Sequence, residues 1–274
     1  MRLLLKRKSK SKSPVAPFYK GGESGMLSRF PIPDSRFPIP DSPFPIPHSP
    51  FPIPDSPFPA LMSQTRIKFC GLTRAEDVRL AVELGVDYLG LVFAPQSPRR
   101  LLLGQAKMLR DLVPEEIAVV ALVMDNKATE INTIIEDIRP DILQFHGTED
   151  DAVCAAFGRP FFKAIAMGGN SEGAFSAIAR YPSASGLLFD GHAAGEQGGS
   201  GQRFDWKQLP STLDKPFLLA GGLSPDNVAV AVRTAHPWGV DVSSGIEASP
   251  GVKDAAKMRR FVEAVRHADR LQSS

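Results

Sequence analysis

The stretch "RIKFCGLTRAEDVRLAVELGVDYLGLVF", Arg66 to Phe93, decides the fold. Arg66 to Cys70 alternates polar and apolar residues as a strand does, and Arg74 to Leu84 spaces its apolar residues as an amphipathic helix does. Tyr88 to Phe93 is then apolar almost throughout, the pattern of a strand covered on both faces. Strand, helix and buried strand in about 28 residues make a βαβ crossover, the unit of a parallel sheet.

Working outward, the unit repeats. Further strands are expected at Ala118 to Met124, Ile142 to His146, Phe161 to Met167, Gly186 to Asp190, Phe217 to Gly221 and Val240 to Ser244. Helices are expected at Gly104 to Val113, Thr129 to Ile138, Glu149 to Phe157, Glu172 to Tyr181, Pro225 to Thr234 and Val252 to Arg270, with only a short turn near Asp205 to Leu209. Eight such units from Met62 onward fit one α/β domain, a closed (β/α)₈ or TIM barrel over residues 62–274. A doubly wound open sheet is the alternative, but no GxGxxG follows the first strand.

Residues 1–61 have a different texture. They hold 14 of the 25 prolines and a seven-residue repeat, "FPIPDSR", "FPIPDSP", "FPIPHSP", "FPIPDSP". Proline at every second or third position blocks helix and central strand alike, so a disordered extension with polyproline II character is expected. It suits a ligand for a proline-binding domain or a spacer; the preferred reading is an over-extended reading frame, with Met62 the start.

The overall charge of +2 is a product of that extension, which carries 9 Lys/Arg against 4 Asp/Glu; residues 62–274 carry 23 against 26. The part able to fold is mildly acidic and lacks a basic nucleic-acid footprint. No apolar run reaches the roughly 20 residues that span a bilayer, and the leucines of "MRLLLKRKSKSKS" fall short of a signal peptide. Two cysteines outside any metal-binding spacing give neither a disulfide framework nor a metal site, so a soluble, cytoplasmic protein is expected.

Chemistry on such a barrel sits at the C-terminal ends of strands. Alternation directs Lys68 and Cys70 inward, with Ile67 and Phe69 toward the helices. It likewise pairs Gln144 with His146, Leu188 with Asp190 and Asp241 with Ser243. Because strands eight and one are neighbours in a closed barrel, Lys68 and Asp241 are expected to pair, in the lower or middle layer, as a structural couple. Glycine-rich strand ends, "GGSG" at Gly198 to Gly201, "AGGLS" at Ala220 to Ser224 and "SSGIE" at Ser243 to Glu247, let backbone amides approach a ligand. Two of them follow strands seven and eight, where such barrels bind phosphate, so a phosphorylated substrate is expected. Arg99 could pair with a carboxylate, although alone it reads more readily as a solvated loop arginine. Cys154 is most simply a small core residue.

From about Thr65 to Arg266 the chain resembles the phosphoribosylanthranilate isomerase family, in "KFCGLTRAEDV" (68–78), "DYLGLVFAPQSPR" (87–99), "LQFHG" (143–147), "LLFDG" (187–191), "GGSGQRFDW" (198–206), "LAGGLSPDNV" (219–228) and "VDVSSGIE" (240–247). The resemblance implies a cofactor-free and metal-free Amadori rearrangement of N-(5-phosphoribosyl)anthranilate in tryptophan biosynthesis. It assigns the general base to Cys70 and the general acid to Asp190, on strands that face each other across the barrel. Arg99 would hold the anthranilate carboxylate, and amides of Gly199, Ser200, Gly201, Gly222, Ser244 and Gly245 the phosphate. His146 would touch substrate or stand behind it, a satisfied core histidine being the alternative. Where the family often has an aromatic after the arginine, this chain has Arg100. The base role asks for a thiolate although free cysteine titrates near 8.5. Monomer and homodimer are equally compatible with these strand ends. Competing readings are an indole-glycerol-phosphate synthase, a histidine-pathway isomerase that uses two aspartates, and a catalytically inactive barrel acting through the proline repeat.

Overall fold

The computed structural model describes residues 64–168, 176, 178–193, 204–209 and 213–272. The proline-rich repeat, Gly199, Ser200, Gly201 and residues 172–175 and 177 of the helix expected at Glu172 to Tyr181 lie outside the described residues.

Eight parallel strands close into a barrel in sequence order: β1 Arg66–Cys70, β2 Tyr88–Val92, β3 Ala118–Val123, β4 Ile142–Phe145, β5 Phe161–Gly168, β6 Gly186–Ala193, β7 Phe217–Leu219 and β8 Gly239–Val242. Pairing of β1 with β8 closes the ring and sets Lys68 opposite Asp241, while β2 sets Gly90 opposite Cys70. Counting round the sheet, β6 stands three places from β1, one short of directly opposite.

The barrel has the two apolar layers that alternation requires. Inside, Tyr88, Val120, Ile142, Phe162, Leu188 and Leu218 fill the lower barrel. Outside, the strands' other faces meet the helices: α1 Ala75–Glu83, α2 Leu103–Arg110, α3 Ala128–Ile138, α4 Asp151–Ala155, α5 Val228–Ala235 and α6 Ala255–Gln272. Helix α6 buries Met258, Phe261, Val265 and Ala268, one stripe at helical spacing. Phe261 meets Phe69 of β1 edge to face, with ring centroids 6.0 Å apart. That contact takes the odd residues of β1 outward and leaves Lys68 and Cys70 inside.

Three helix starts depart from expectation by two residues or more, that of α5 moving from Pro225 to Val228. The fourth helix begins at Asp151 because the Asp150 carboxylate accepts from the Val153 amide at 2.8 Å, while Glu149 turns back toward Lys163. The last helix begins only at Ala255. Val252 is not helical: Glu247–Ser249 (β9) and Val252–Lys253 (β10) form an antiparallel hairpin turning at Gly251, φ +81°. Asp254 then caps α6 by accepting from the Lys257 amide.

Candidate active site

A cavity of about 390 Å³ opens at the C-terminal end of the barrel. Cys70, Arg99, His146, Asp190, Asp241 and Ser244 all contribute to its lining, so six of the polar residues singled out from the sequence converge on one space. Its apolar wall is Val92, Ala94, Leu122 and Met124, packed around Cys70.

The thiol has a specific environment. Lys68, fully buried below it, donates to Asp241 Oδ1 at 3.0 Å and lies close enough to interact with Cys70. Gly90 makes room for both, since a Cβ there would lie 2.8 Å from Cys70 Sγ and 3.1 Å from Lys68 Nζ. Burial pushes the Cys70 thiol up, and the charge of Asp241 adds to this; Lys68 and, more weakly, Lys253 pull it down. Desolvation outweighs the neighbouring charges, which favours the thiol over the thiolate that the base role asks for. The Lys68–Asp241 couple is present, but Asp241 reaches the cavity, so the pair forms the floor under Cys70 and not a remote brace. Burial draws Lys68 down, but Asp241 and Cys70 beside it together more than offset this, so it stays cationic.

Across the cavity, Asp190 is buried with His146 Nε2 3.5 Å from its Oδ2. The amide nitrogen of Gln144, two residues back on the same inward face of β4, lies 3.3 Å from His146 Nδ1. His146 is therefore positioned from both sides of its ring and is not an isolated core histidine. Gly221, which the sequence reading did not single out, is what lets Asp190 sit where it does: φ is +82°, and a Cβ would overlap the Gly191 amide and lie 2.9 Å from Asp190 Oδ1.

Arg99 is buried and not solvated. Its Nε and Nη2 each donate to a different oxygen of Glu247 at 2.7 Å, a bidentate pair. Its stem crosses Gly71, φ +71°, where a Cβ would overlap the arginine's Cδ. Arg100 makes an isolated bridge with Val92, which settles the loop where an aromatic was expected. Of the glycine-rich ends, Gly222 and Ser244 line the cavity. Gly245 does not; a Cβ there would overlap the Leu223 carbonyl, so it packs the loop after β8 against the loop after β7. Ser243, named from the sequence for its alternation with Asp241, lines the cavity, as do Gln96 and Asp125, which were not named. The latter two sit on loops, where no periodicity gives direction.

Among the described residues no three His, Cys, Asp or Glu side chains converge as a metal ligand set. Among the same residues no helix is long and apolar enough to cross a membrane.

Comparison with known proteins places this geometry in a family. Residues 67–264 match the family model described as N-(5'-phosphoribosyl)anthranilate (PRA) isomerase. A protein of that name from Stenotrophomonas maltophilia (strain R551-3) is 54% identical over 207 residues, covering 75% of this chain and 95% of its own. Its namesake from Xanthomonas campestris pv. campestris (strain 8004) is 52% identical over 211 residues, covering 75% and 95%. The crystal structure of phosphoribosyl anthranilate isomerase from Thermotoga maritima superposes with a TM-score of 0.68 at 31% identity, covering 74% of this chain and 99% of that one. Another crystal structure holds that enzyme in complex with reduced 1-(o-carboxyphenylamino)-1-deoxyribulose 5-phosphate, at TM-score 0.63 and 27% identity, covering 74% and 99%. With a closed eight-stranded barrel, the cavity at its C-terminal end and matches along nearly the whole barrel, the chain belongs to the phosphoribosylanthranilate isomerase family, the isomerases of tryptophan biosynthesis.

Proposed function

We propose that the chain isomerises N-(5-phosphoribosyl)anthranilate to 1-(2-carboxyphenylamino)-1-deoxyribulose 5-phosphate with Asp190 as general acid and Cys70 as general base. The observation that carries this reading is that a buried carboxylate from β6 and a buried thiol from β1 reach one cavity. Asp190 gives a proton to the ribose ring oxygen, the C1–O bond breaks, and the nitrogen lone pair closes an iminium. Cys70 as thiolate takes the C2 proton, the C2–H electrons form the C1–C2 double bond, and the resulting enolamine tautomerises to the ketone. Each proton transfer contributes about 10²- to 10⁴-fold. Arg99 faces the aryl carboxylate, and Gly222 and Ser244 offer amides to the phosphate. The ligand in the related complex carries the same carboxyphenyl and phosphate groups, which supports a substrate of this class.

A resting thiol assigns the protons. The reactive form pairs a Cys70 thiolate with a protonated Asp190, one proton being held between the two groups. Lys68 beside the sulfur lowers the cost of reaching it. Activity on the alkaline side is lost when that shared proton leaves, a macroscopic step governed by Cys70. A kcat/KM profile is expected to fall on the alkaline side only above the free-cysteine value near 8.5, because the shift is upward. An alkaline limb well below that value would mean a resting thiolate and would overturn this proton assignment.

A further inference from the structure

The arginine that faces the cavity is the outer member of a chain of charges that continues away from it. Glu247, which clamps Arg99, also accepts from Lys253 Nζ at 2.9 Å and from the Gly251 amide at 3.3 Å. Lys253 Nζ further donates to the carbonyl and hydroxyl of Ser243 at 3.0 and 3.3 Å. Neither Glu247 nor Lys253 lines the cavity, and both are buried. The hairpin that carries them is fixed from β1's loop: Asp77 accepts from the Lys253 amide, Arg74 donates to the Lys253 carbonyl, and Thr73 Oγ1 donates to the Gly251 carbonyl.

An arginine in a bidentate pair with a glutamate is, as a unit, neutral, and a neutral unit has little attraction for a substrate carboxylate. A second buried cation on the same glutamate restores one net positive charge to the group, and only Arg99 presents it to the cavity. We infer that Arg99, Glu247 and Lys253 act as one carboxylate-recognising unit, in which Glu247 sets the pose of the guanidinium and Lys253, which never touches the substrate, supplies the balancing charge. The inference rests on the reading that Arg99 faces the aryl carboxylate. The Arg99 and Lys253 partners hold Glu247 below its ordinary pKa, so it stays ionised. Burial draws Lys253 down, and its contact with Glu247 opposes that.

The test is the preference for the anthranilate adduct over the matching phosphoribosyl adduct of aniline, which lacks the carboxylate, taken as the ratio of kcat/KM values. Lys253 also acts on Cys70, but that effect bears on both adducts and cancels in the ratio. Lys253→Gln, which keeps the pose but loses the charge, is expected to lower the preference at least tenfold. Glu247→Gln, which adds net positive charge but loses the clamp, is expected to lower it also, which electrostatics alone would not do. Lys253→Arg should restore most of the preference. If Arg99→Gln lowers the preference but Lys253→Gln and Glu247→Gln leave it within twofold of wild type, the unit is refuted and the reading of Arg99 stands. An unchanged preference in Arg99→Gln sinks both. Should Lys253→Gln fail to fold by thermal melting, Lys253→Met keeps the packing of the stem and reads the same loss of charge.

Discussion

Residue by residue, the site depends on what lies one position behind it. Lys68 is fully buried and tied to Asp241, so removing the carboxylate leaves an ammonium without its compensating charge. Breaking a buried pair from one side costs about 3–5 kcal/mol. Asp241→Ala is therefore expected to lower the melting temperature by at least about 6 °C, at roughly 2–4 °C per kcal/mol for a domain of this size. An unchanged melting temperature would remove the pair from the account. Period-two alternation was enough to direct Lys68, Cys70, Gln144, His146, Asp190 and Asp241 inward, because each sits on a strand or, for His146, directly after one. It could not give the direction of the Cys70 shift, which depends on how much neighbouring strands exclude water. Nor could it reveal Gly90 and Gly221, whose importance is the side chain they leave out beside Cys70 and Asp190.

At the level of elements, loops carry the site and buried charges hold the loops. Lys163 of β5 donates to the Gly147 carbonyl at 2.6 Å and to Glu149 at 3.1 Å, with the Tyr181 ring 5.4 Å away. Those bonds fix the segment after β4 that begins with His146. Lys163→Met strands the buried Glu149 carboxylate and is expected to destabilise the fold by about 3–5 kcal/mol. Faster amide exchange at Gly147 and Thr148 than elsewhere in the barrel would place the loss in this loop; uniform acceleration would contradict a local role. Helices were legible where an apolar stripe runs three turns, as in α3 and α6. The first residues of α4 and α6 were not, because Asp150 and Asp254 act as caps by accepting from amides three residues on. The hairpin at Glu247 to Lys253 was read as strand end and helix because its residues are set by Glu247 and Lys253 turning inward toward each other, a long-range pairing without local periodicity.

For the molecule as a whole, the alternation of strands and helices specified a closed barrel because β8 returns to β1 with apolar residues on both faces of the sheet. The family match runs over residues 67–264, and the strands over Arg66 to Val242. We therefore propose that the proline-rich extension is dispensable for catalysis. Residues 62–274 alone are expected to keep the kcat/KM of the full chain within about twofold; a tenfold loss would assign the extension a part in turnover. The central claim is the division of proton transfer between Cys70 and Asp190. It is tested most directly by following the loss of anthranilate-adduct fluorescence on freshly made substrate with wild type, Cys70→Ser and Asp190→Asn. The account predicts that each variant stays folded and loses about 10²-fold or more in kcat; near-wild-type turnover in either one would contradict it.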